Sequence, residues 1–285
     1  MKDMLEEARE GKYAIGAFDV SNYEMVRAVV DIAEELKSPV ILMGLRVDME
    51  DEGMNYIVSM AKTAAKASSV PICLHLDHAR EINFIKRAID NGFTSVMVDG
   101  SKLSFDENVN ISKKTCNMAH RHNITVEAEL GHVTDAIVGD GRKVKKTENA
   151  EDYLTKPEEA QEFIDATGVD ALAVAIGTAH GVYKAEPKLD INRLRQLNAI
   201  SSVPLVMHGG SGVSDKEIKK SIEAGMCKIN IYSELLNAFF SELKDELNNL
   251  DNMSTWPSVV YKKPIQAMKE VVRDKMKLFN SVGKA

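Results

Sequence analysis

Leu205-Val206-Met207-His208-Gly209-Gly210-Ser211-Gly212 is an apolar, β-prone run that stops at a histidine and opens into a glycine-rich turn. A polar, helix-forming segment at 215–224 follows it, and a second apolar run at 227–231 comes next. Strands buried on both faces read as continuous apolar runs, so this strand–turn–helix–strand unit points to a parallel sheet covered by helices. The unit recurs along the chain. Apolar runs occur at 13–18, 40–43, 72–76, 95–98, 125–130, 171–176, 205–208 and 227–231. Helical spacing fills the gaps at 23–36, 54–67, 81–91, 107–120, 157–167, 191–199 and 215–224, and continues beyond the last run at 234–248 and 264–279.

Eight such units in about 250 residues are the count and length of an α/β, (β/α)8 TIM barrel, here with additional C-terminal helices. The rival, an open doubly wound sheet, needs no eighth strand and opens with a G-x-G-x-x-G turn. None follows the run at 13–18. No linker or low-complexity stretch divides residues 1–285, so a single domain is expected. The longest irregular stretch runs from Gly131 to about Leu154 and is rich in Asp, Gly and Lys. A loop of that length inside a compact domain usually has a function, such as a lid.

Composition narrows the partners. The chain has 285 residues, is 44% hydrophobic and carries a net charge of −7. That balance disfavours nucleic acid and anionic membranes, which select basic surfaces. Cys73, Cys116 and Cys227 are odd in number and lack C-x-x-C spacing, as expected of reduced thiols in a cytoplasmic protein. The first eight residues read as an amphipathic helix rather than a signal peptide. No apolar run approaches the roughly 18 residues that span a bilayer.

A barrel carries its chemistry at the C-terminal ends of its strands. Asp77 and His78 follow the third run, Asp99 the fourth and His180 the sixth, while Glu129, His208 and Asn230 end the fifth, seventh and eighth. The stretches Leu74-His75-Leu76-Asp77-His78 and Gly177-Thr178-Ala179-His180-Gly181 therefore share a structural context with His208. Catalytic zinc takes three protein ligands and keeps one position open. His78, His180 and His208 would supply that set. Any one histidine alone reads better as a satisfied rim or core residue; three on strand ends reverse the weighting. His120, His122 and His132 are read as structural.

Asp77, beside a ligand, reads as a general acid or base. It reads alternatively as a helix N-cap, or as the carboxylate that orients a histidine. His75, on the same barrel face, belongs with the supporting groups. Asp99 and Glu129 are supporting groups or alternative metal contacts. Gly209-Gly210-Ser211-Gly212 and Asn230-Ile231-Tyr232-Ser233 follow the seventh and eighth runs, where this fold cradles phosphate on backbone N–H groups and a helix N-terminus.

With these residues in place, the sequence resembles the class II, zinc-dependent ketose-bisphosphate aldolases of the fructose- and tagatose-bisphosphate type, as a divergent member. The resemblance runs nearly end to end. It rests on 13–18 (YAIGAF), 38–42 (SPVIL), 75–78 (HLDH), 98–101 (VDGS), 126–131 (VEAELG), 172–183 (LAVAIGTAHGVY), 208–213 (HGGSGV) and 228–231 (KINI). It implies zinc on His78, His180 and His208, with Asp77 handling the C4 hydroxyl proton. It implies Gly181, Gly209, Gly210, Ser211, Asn230 and Ser233 around a dihydroxyacetone-phosphate half, and a monovalent cation (Na+ or K+) nearby. In such a reaction the metal chelates the ketose C2 carbonyl and C3 hydroxyl, the C3–C4 bond breaks, and the metal holds the enediolate charge. The resemblance further implies a lyase of carbohydrate metabolism and glycolysis, assembled as a homodimer or homotetramer through the C-terminal helices.

The departures are specific. The loop glutamate that exchanges the enediolate proton falls at Ile137, leaving Asp135 or Asp140 as substitutes. Asp19 replaces an asparagine, Leu45 a small hydroxyl residue followed by Arg46, and Tyr232 a smaller residue. Trp256-Pro257-Ser258 stands where an arginine at the Ser258 position helps to hold a distal phosphate. Arg46 offers a substitute anionic contact. Two alternatives to the aldolase reading follow: a lyase or epimerase that stabilises an enediolate of another sugar phosphate, and a catalytically silent sugar-phosphate-binding paralogue.

Overall fold

The apolar runs become eight parallel strands that close into a barrel in the computed structural model, which describes residues 1–135, 153–183 and 186–285. They are β1 (Ile15–Asp19), β2 (Val40–Leu45), β3 (Ile72–Ala79), β4 (Ser95–Val98), β5 (Thr125–Leu130), β6 (Ala171–Val174), β7 (Leu205–Met207) and β8 (Met226–Ile231). Each strand pairs with its neighbours in chain order, and β8 returns to β1 with Ile15 opposite Lys228 and Phe18 opposite Ile231. Closure removes the unpaired edges of an open sheet.

The helices are α1 (Lys2–Gly11), α2 (Tyr23–Leu36), α3 (Gly53–Ala67), α4 (Ile82–Asn91), α5 (Phe105–Ala119), α6 (Pro157–Thr167), α7 (Ile191–Ile200), α8 (Asp215–Glu223), α9 (Ser233–Asn248), α10 (Pro257–Val260) and α11 (Lys262–Leu278). Local chemistry sets several starts. Asn22 and Asp190 cap α2 and α7 through their side chains, and Ser104 with Glu107 forms a capping box on α5. The short α10, begun by Pro257, was not among the expected helices.

Two apolar layers result from strand alternation. Phe18, Leu42, Leu76, Val98, Leu172 and Ile229 face outward and pack with Ile32, Ile85, Phe163, Leu197 and Ile218 of the surrounding helices. Ile15, Ala17, Ile41, Met43, Cys73, Ala171 and Val206 form a separate inner cluster, which Leu5 and Ala8 of α1 join. Burying one such large side chain stabilises the fold by about 1.5–3 kcal/mol, so the layers dominate the energetics. Met268, Val272 and Met276 bury the inner face of α11 completely. Cys73, Cys116 and Cys227 are buried free thiols.

Several strand ends shift by one or two residues, as at Asp19, Leu45 and Val174, and one larger shift bears on the site. The apolar pattern ends the third strand at residue 76, with Asp77 and His78 beyond it; β3 instead continues to Ala79. Its pairing with β4 shifts register between Leu76 and Ala79. The irregularity keeps both polar residues inside the sheet. At the same end of the barrel, the backbone of Thr134–Asp135 pairs with Ala179–His180, tying the loop after β5 to the loop after β6. Among the described residues, no helix is long and apolar enough to cross a membrane.

Candidate metal and active site

Strand alternation places His75 and Asp77 on the inner face of β3, which would leave His78 facing the helices. The backbone prevents this. His78 has φ +46°, a left-handed conformation that costs a non-glycine residue about 1–3 kcal/mol and persists only where the surroundings enforce it. Bulges of this kind re-aim side chains beside active sites. His78 thereby reaches the rim, with its Nε2 3.2 Å from His180 Nε2. Its ring lies edge-on to those of His180 and His208, at centroid distances of 4.7 and 4.6 Å.

One ligand atom from each of His78, His180 and His208 lies within 4.8 Å of the other two. Three nitrogens bound to one zinc at 2.0–2.1 Å stand roughly 3.4 Å apart, so the cluster is near the required size. Hydrogen bonding leaves the ligand lone pairs in the right places. His208 Nε2 lies 2.8 Å from Glu127 Oε1, while its buried Nδ1 has no hydrogen-bond partner. His78 Nδ1 lies 3.4 Å from Asp99 Oδ2 and points its other nitrogen at His180. A carboxylate on one imidazole nitrogen with the other left for a cation is the usual support of a metal-binding histidine. The residues therefore fit a zinc ion. A second cluster, His78 with Asp99 and Glu129, shares His78.

The local field favours a cation. Asp77, Asp99, Glu127 and Glu129 are all buried around the histidines. Burial alone would raise each carboxyl. For Asp77, the charges of His78, His208 and Lys228 outweigh burial and hold it below the usual range. Asp99 is likewise held low, by His78, Ser101 and Arg80; Arg80 grips its Oδ2 through Nε and Nη2 at 3.0 and 2.9 Å. His208 is pushed up to about 10, because Glu127 and Glu129 overcome the burial that would lower it. A field that holds a proton on a buried imidazole also attracts a metal ion in its place. Asp19, at the end of β1, is raised well above its ordinary value by burial and by Asp77, and its Oδ1 is unpartnered.

The proposed phosphate loops are adjacent and internally bonded. Gly209 has φ +64°, and a Cβ there would collide with the carbonyl of Ala179, so only glycine fits between this loop and His180. Ser211 Oγ accepts from Tyr232 N at 3.1 Å and Glu234 N at 3.5 Å, which joins the two loops at the start of α9. Gly210 N donates to Asn230 O, and Gly212 N donates to Glu234 Oε1 at 2.6 Å, so a carboxylate already sits on one of the expected anion donors. Gly181 follows His180 directly with φ +90°, and Ser233 opens α9.

The structure thus brings Asp77, His78, Asp99, Glu129, His180, His208 and Asn230 to one rim, where Asn230 Nδ2 donates to Asp77 Oδ1 at 3.4 Å. Asp77 caps no helix, since Glu81 precedes α4. His75 serves lower down, with Nδ1 2.8 Å from Ser95 Oγ. His120 pairs with Asp170 away from the rim, as expected of a structural residue. His132 lies closer to the site: its Nδ1 is 3.3 Å from Ser101 Oγ, which donates to Asp99. Arg46, expected as an anionic contact, is paired with Glu50 at 2.9 Å and Glu81 at 2.5 Å, so its charge is already engaged. Ser258 is exposed on α10. Ile137, Asp140 and the side chain of Asp135 lie outside the described residues.

Sequence reasoning missed Glu127 and Lys228, both fully buried, with Lys228 Nζ 3.0 Å from Glu127 Oε2. A signal existed: a polar or charged residue at every second position of an apolar strand, Glu127 with Glu129 and Lys228 with Asn230, marks the inner face. Tyr183 was likewise passed over. Its hydroxyl accepts from Ala179 N at 2.7 Å and donates to Gly209 O at 2.8 Å, bracing the loops that carry His180 and His208.

A family model described as class-II fructose-bisphosphate aldolase matches residues 1–284. Among solved structures, the YdjI aldolase from Escherichia coli K12 is 35% identical, with 100% of this chain and 98% of that chain covered, at a TM-score of 0.86. A candidate fructose-1,6-bisphosphate aldolase from Coccidioides immitis is 33% identical over 99% of this chain and 96% of that one, also at 0.86. The fructose-bisphosphate aldolase of Campylobacter jejuni shares the fold at 23% identity, with 99% and 95% covered and a TM-score of 0.80.

Proposed function

The chain belongs to the class-II fructose-bisphosphate aldolase family, and on that premise we propose that it is a zinc aldolase that reversibly cleaves a phosphorylated ketose to dihydroxyacetone phosphate and an aldehyde. His78 through Nε2, His180 through Nε2 and His208 through Nδ1 would hold the metal. Bound there, zinc supplies Lewis-acid polarisation of a carbonyl and stabilises the negative charge that develops as a carbon–carbon bond breaks.

The chain's own groups do the rest. Asp77 removes the C4 hydroxyl proton in the cleavage direction and returns it in the addition. Its carboxylate is suited to this role because its surroundings hold it below the usual range despite burial. Asn230 holds Oδ1 by a 3.4 Å hydrogen bond, while Oδ2 lies 4.0 Å from His78 Nε2, on the metal side. Asp99 orients the His78 ring. Gly181, Gly209, Gly210, Ser211, Asn230 and Ser233 receive the phosphate of the three-carbon half.

One observation carries the reading: three imidazole nitrogens clustered within 4.8 Å, with the Asp77 carboxylate 4.0 Å from one of them. The test is release of dihydroxyacetone phosphate from fructose 1,6- and tagatose 1,6-bisphosphate, with and without a zinc chelator. Chelator-sensitive release is expected. Zinc-loaded protein that releases none would overturn the aldolase reading in favour of a lyase or epimerase on another sugar phosphate, or a silent binder.

A further inference from the structure

Beneath the three histidines lies an ion pair whose only part in the chemistry above is the charge that Lys228 contributes near Asp77. Glu127 on β5 and Lys228 on β8 are both 0% exposed, and Lys228 Nζ is 3.0 Å from Oε2 and 3.3 Å from Oε1. Burying two charges costs several kcal/mol per ion before attraction is counted, and apolar residues of similar volume often serve stability as well or better. Stability alone is therefore a weak reason for the pair. Its contacts suggest another.

Glu127 Oε1 lies 2.8 Å from His208 Nε2. A carboxylate only accepts, so Nε2 must carry the proton. A neutral imidazole has one N–H, and the proton on Nε2 leaves Nδ1 as a lone pair. Nδ1 is one of the buried atoms here that make no hydrogen bond, and it lies on the side of His78 and His180. A competitor is present: Glu129 Oε2 stands 3.4 Å from Nδ1 and would draw the proton there, which would block that ligand position. The shorter contact on Glu127 decides between the two. Lys228 supplies the countercharge that lets Glu127 accept this bond as a carboxylate deep in the barrel. His75 Nε2, 3.7 Å from Glu127 Oε2, leaves that oxygen to Lys228.

We infer that Glu127 and Lys228 are positioning residues: together they fix His208 as the Nε2–H tautomer and so present Nδ1 to the metal. The inference rests on the zinc reading above. Its first test needs no variant. In protein labelled with 15N-histidine, the His208 signal, assigned by its loss in His208→Ala, is expected to be that of an Nε2–H imidazole with zinc bound; an Nδ1–H signal would overturn the inference.

The second test measures zinc affinity by competition with a chromogenic chelator. Glu127→Leu with Lys228→Met removes both charges together, so no uncompensated ion remains. Zinc should bind about 10–100-fold more weakly, the usual cost of losing the partner of a metal-bound histidine. Glu127→Gln with Lys228→Met, whose amide oxygen still accepts from Nε2, should recover most of that loss. Affinity within about twofold of wild type in the Leu/Met protein would overturn the positioning role. A purely structural pair would change the melting temperature and leave both the affinity and the tautomer signal unmoved. Should the Leu/Met protein not fold, the wild-type tautomer decides. A His180→Ala protein that binds zinc as tightly as wild type would instead fail the premise, and the inference falls with it.

Discussion

The two halves of the barrel interior are built on the same strands and hold opposite kinds of residue. The lower half is mostly apolar: Ile15, Ala17, Ile41, Cys73, Ala171 and Val206 fill it around the buried Glu127–Lys228 pair, and α1 closes it with Leu5 and Ala8. The upper half, one or two alternate positions further along, holds Asp19, Asp77, Asp99, Glu129, His208 and Asn230, all buried. Asp19 Oδ1, Glu129 Oε2, His208 Nδ1 and Asn230 Oδ1 have no hydrogen-bond partner there. Each such atom costs about 1–3 kcal/mol. A fold keeps a cluster of unsatisfied atoms where something outside the chain is meant to satisfy them. The lower half and the outer layer supply the stability that the upper half draws on.

If that division is right, substitutions should separate cleanly by half. The largest effect belongs to Asp77→Asn. It removes the proton acceptor with almost no change of shape, so kcat for dihydroxyacetone phosphate release should fall about 10²–10⁴-fold, with a nearly unchanged thermal midpoint. A large loss of stability instead would mean that Asp77 is part of the scaffold, and the division would fail there. Leu5→Ala tests the other half. Leu5 is fully buried, so its truncation should lower unfolding free energy in urea by about 2–5 kcal/mol while kcat of the folded protein holds. Gly209→Ala sits at the junction of ligand and phosphate loops. Strain at φ +64° and the clash with the Ala179 carbonyl should cost about 1–3 kcal/mol and raise KM for a ketose phosphate. An unchanged KM would remove the loop from the substrate's reach.

The same contrast explains what the sequence made legible. Strands buried on both faces announce themselves, and β4 and β5 fall on the expected residues 95–98 and 125–130. Histidines and carboxylates at strand ends could be gathered into a site because the barrel assigns every strand end to one rim. What depended on neighbouring strands was hidden. The bulge in β3 and the left-handed backbone at His78 arise from pairing with β4, and no local residue type signals them. Glu127 and Lys228 come from strands about a hundred positions apart, so their charges were visible and their pairing was not. The engagement of Ser211 by Tyr232 and Glu234 likewise exists only once two loops meet.

The smallest effect is expected outside both halves, at Arg46. Its position after Leu45, where the family resemblance puts a small hydroxyl residue, made it a candidate anion contact in place of the arginine missing at Ser258. Yet its guanidinium is paired with Glu50 and Glu81 and lies 5.2 Å over the Phe84 ring. To meet a substrate anion it would have to leave two carboxylates and an aromatic face. Exposed ion pairs of this sort contribute little, so Arg46→Ala should leave KM within about twofold and the folding midpoint nearly unmoved. A KM raised about tenfold at constant kcat would mean the opposite: uniform substrate binding lost from a residue that exchanges its carboxylates for the substrate. The active rim would then extend onto the loop after β2, and the boundary between the buried charged half and the solvated surface would have to be redrawn around a side chain that moves.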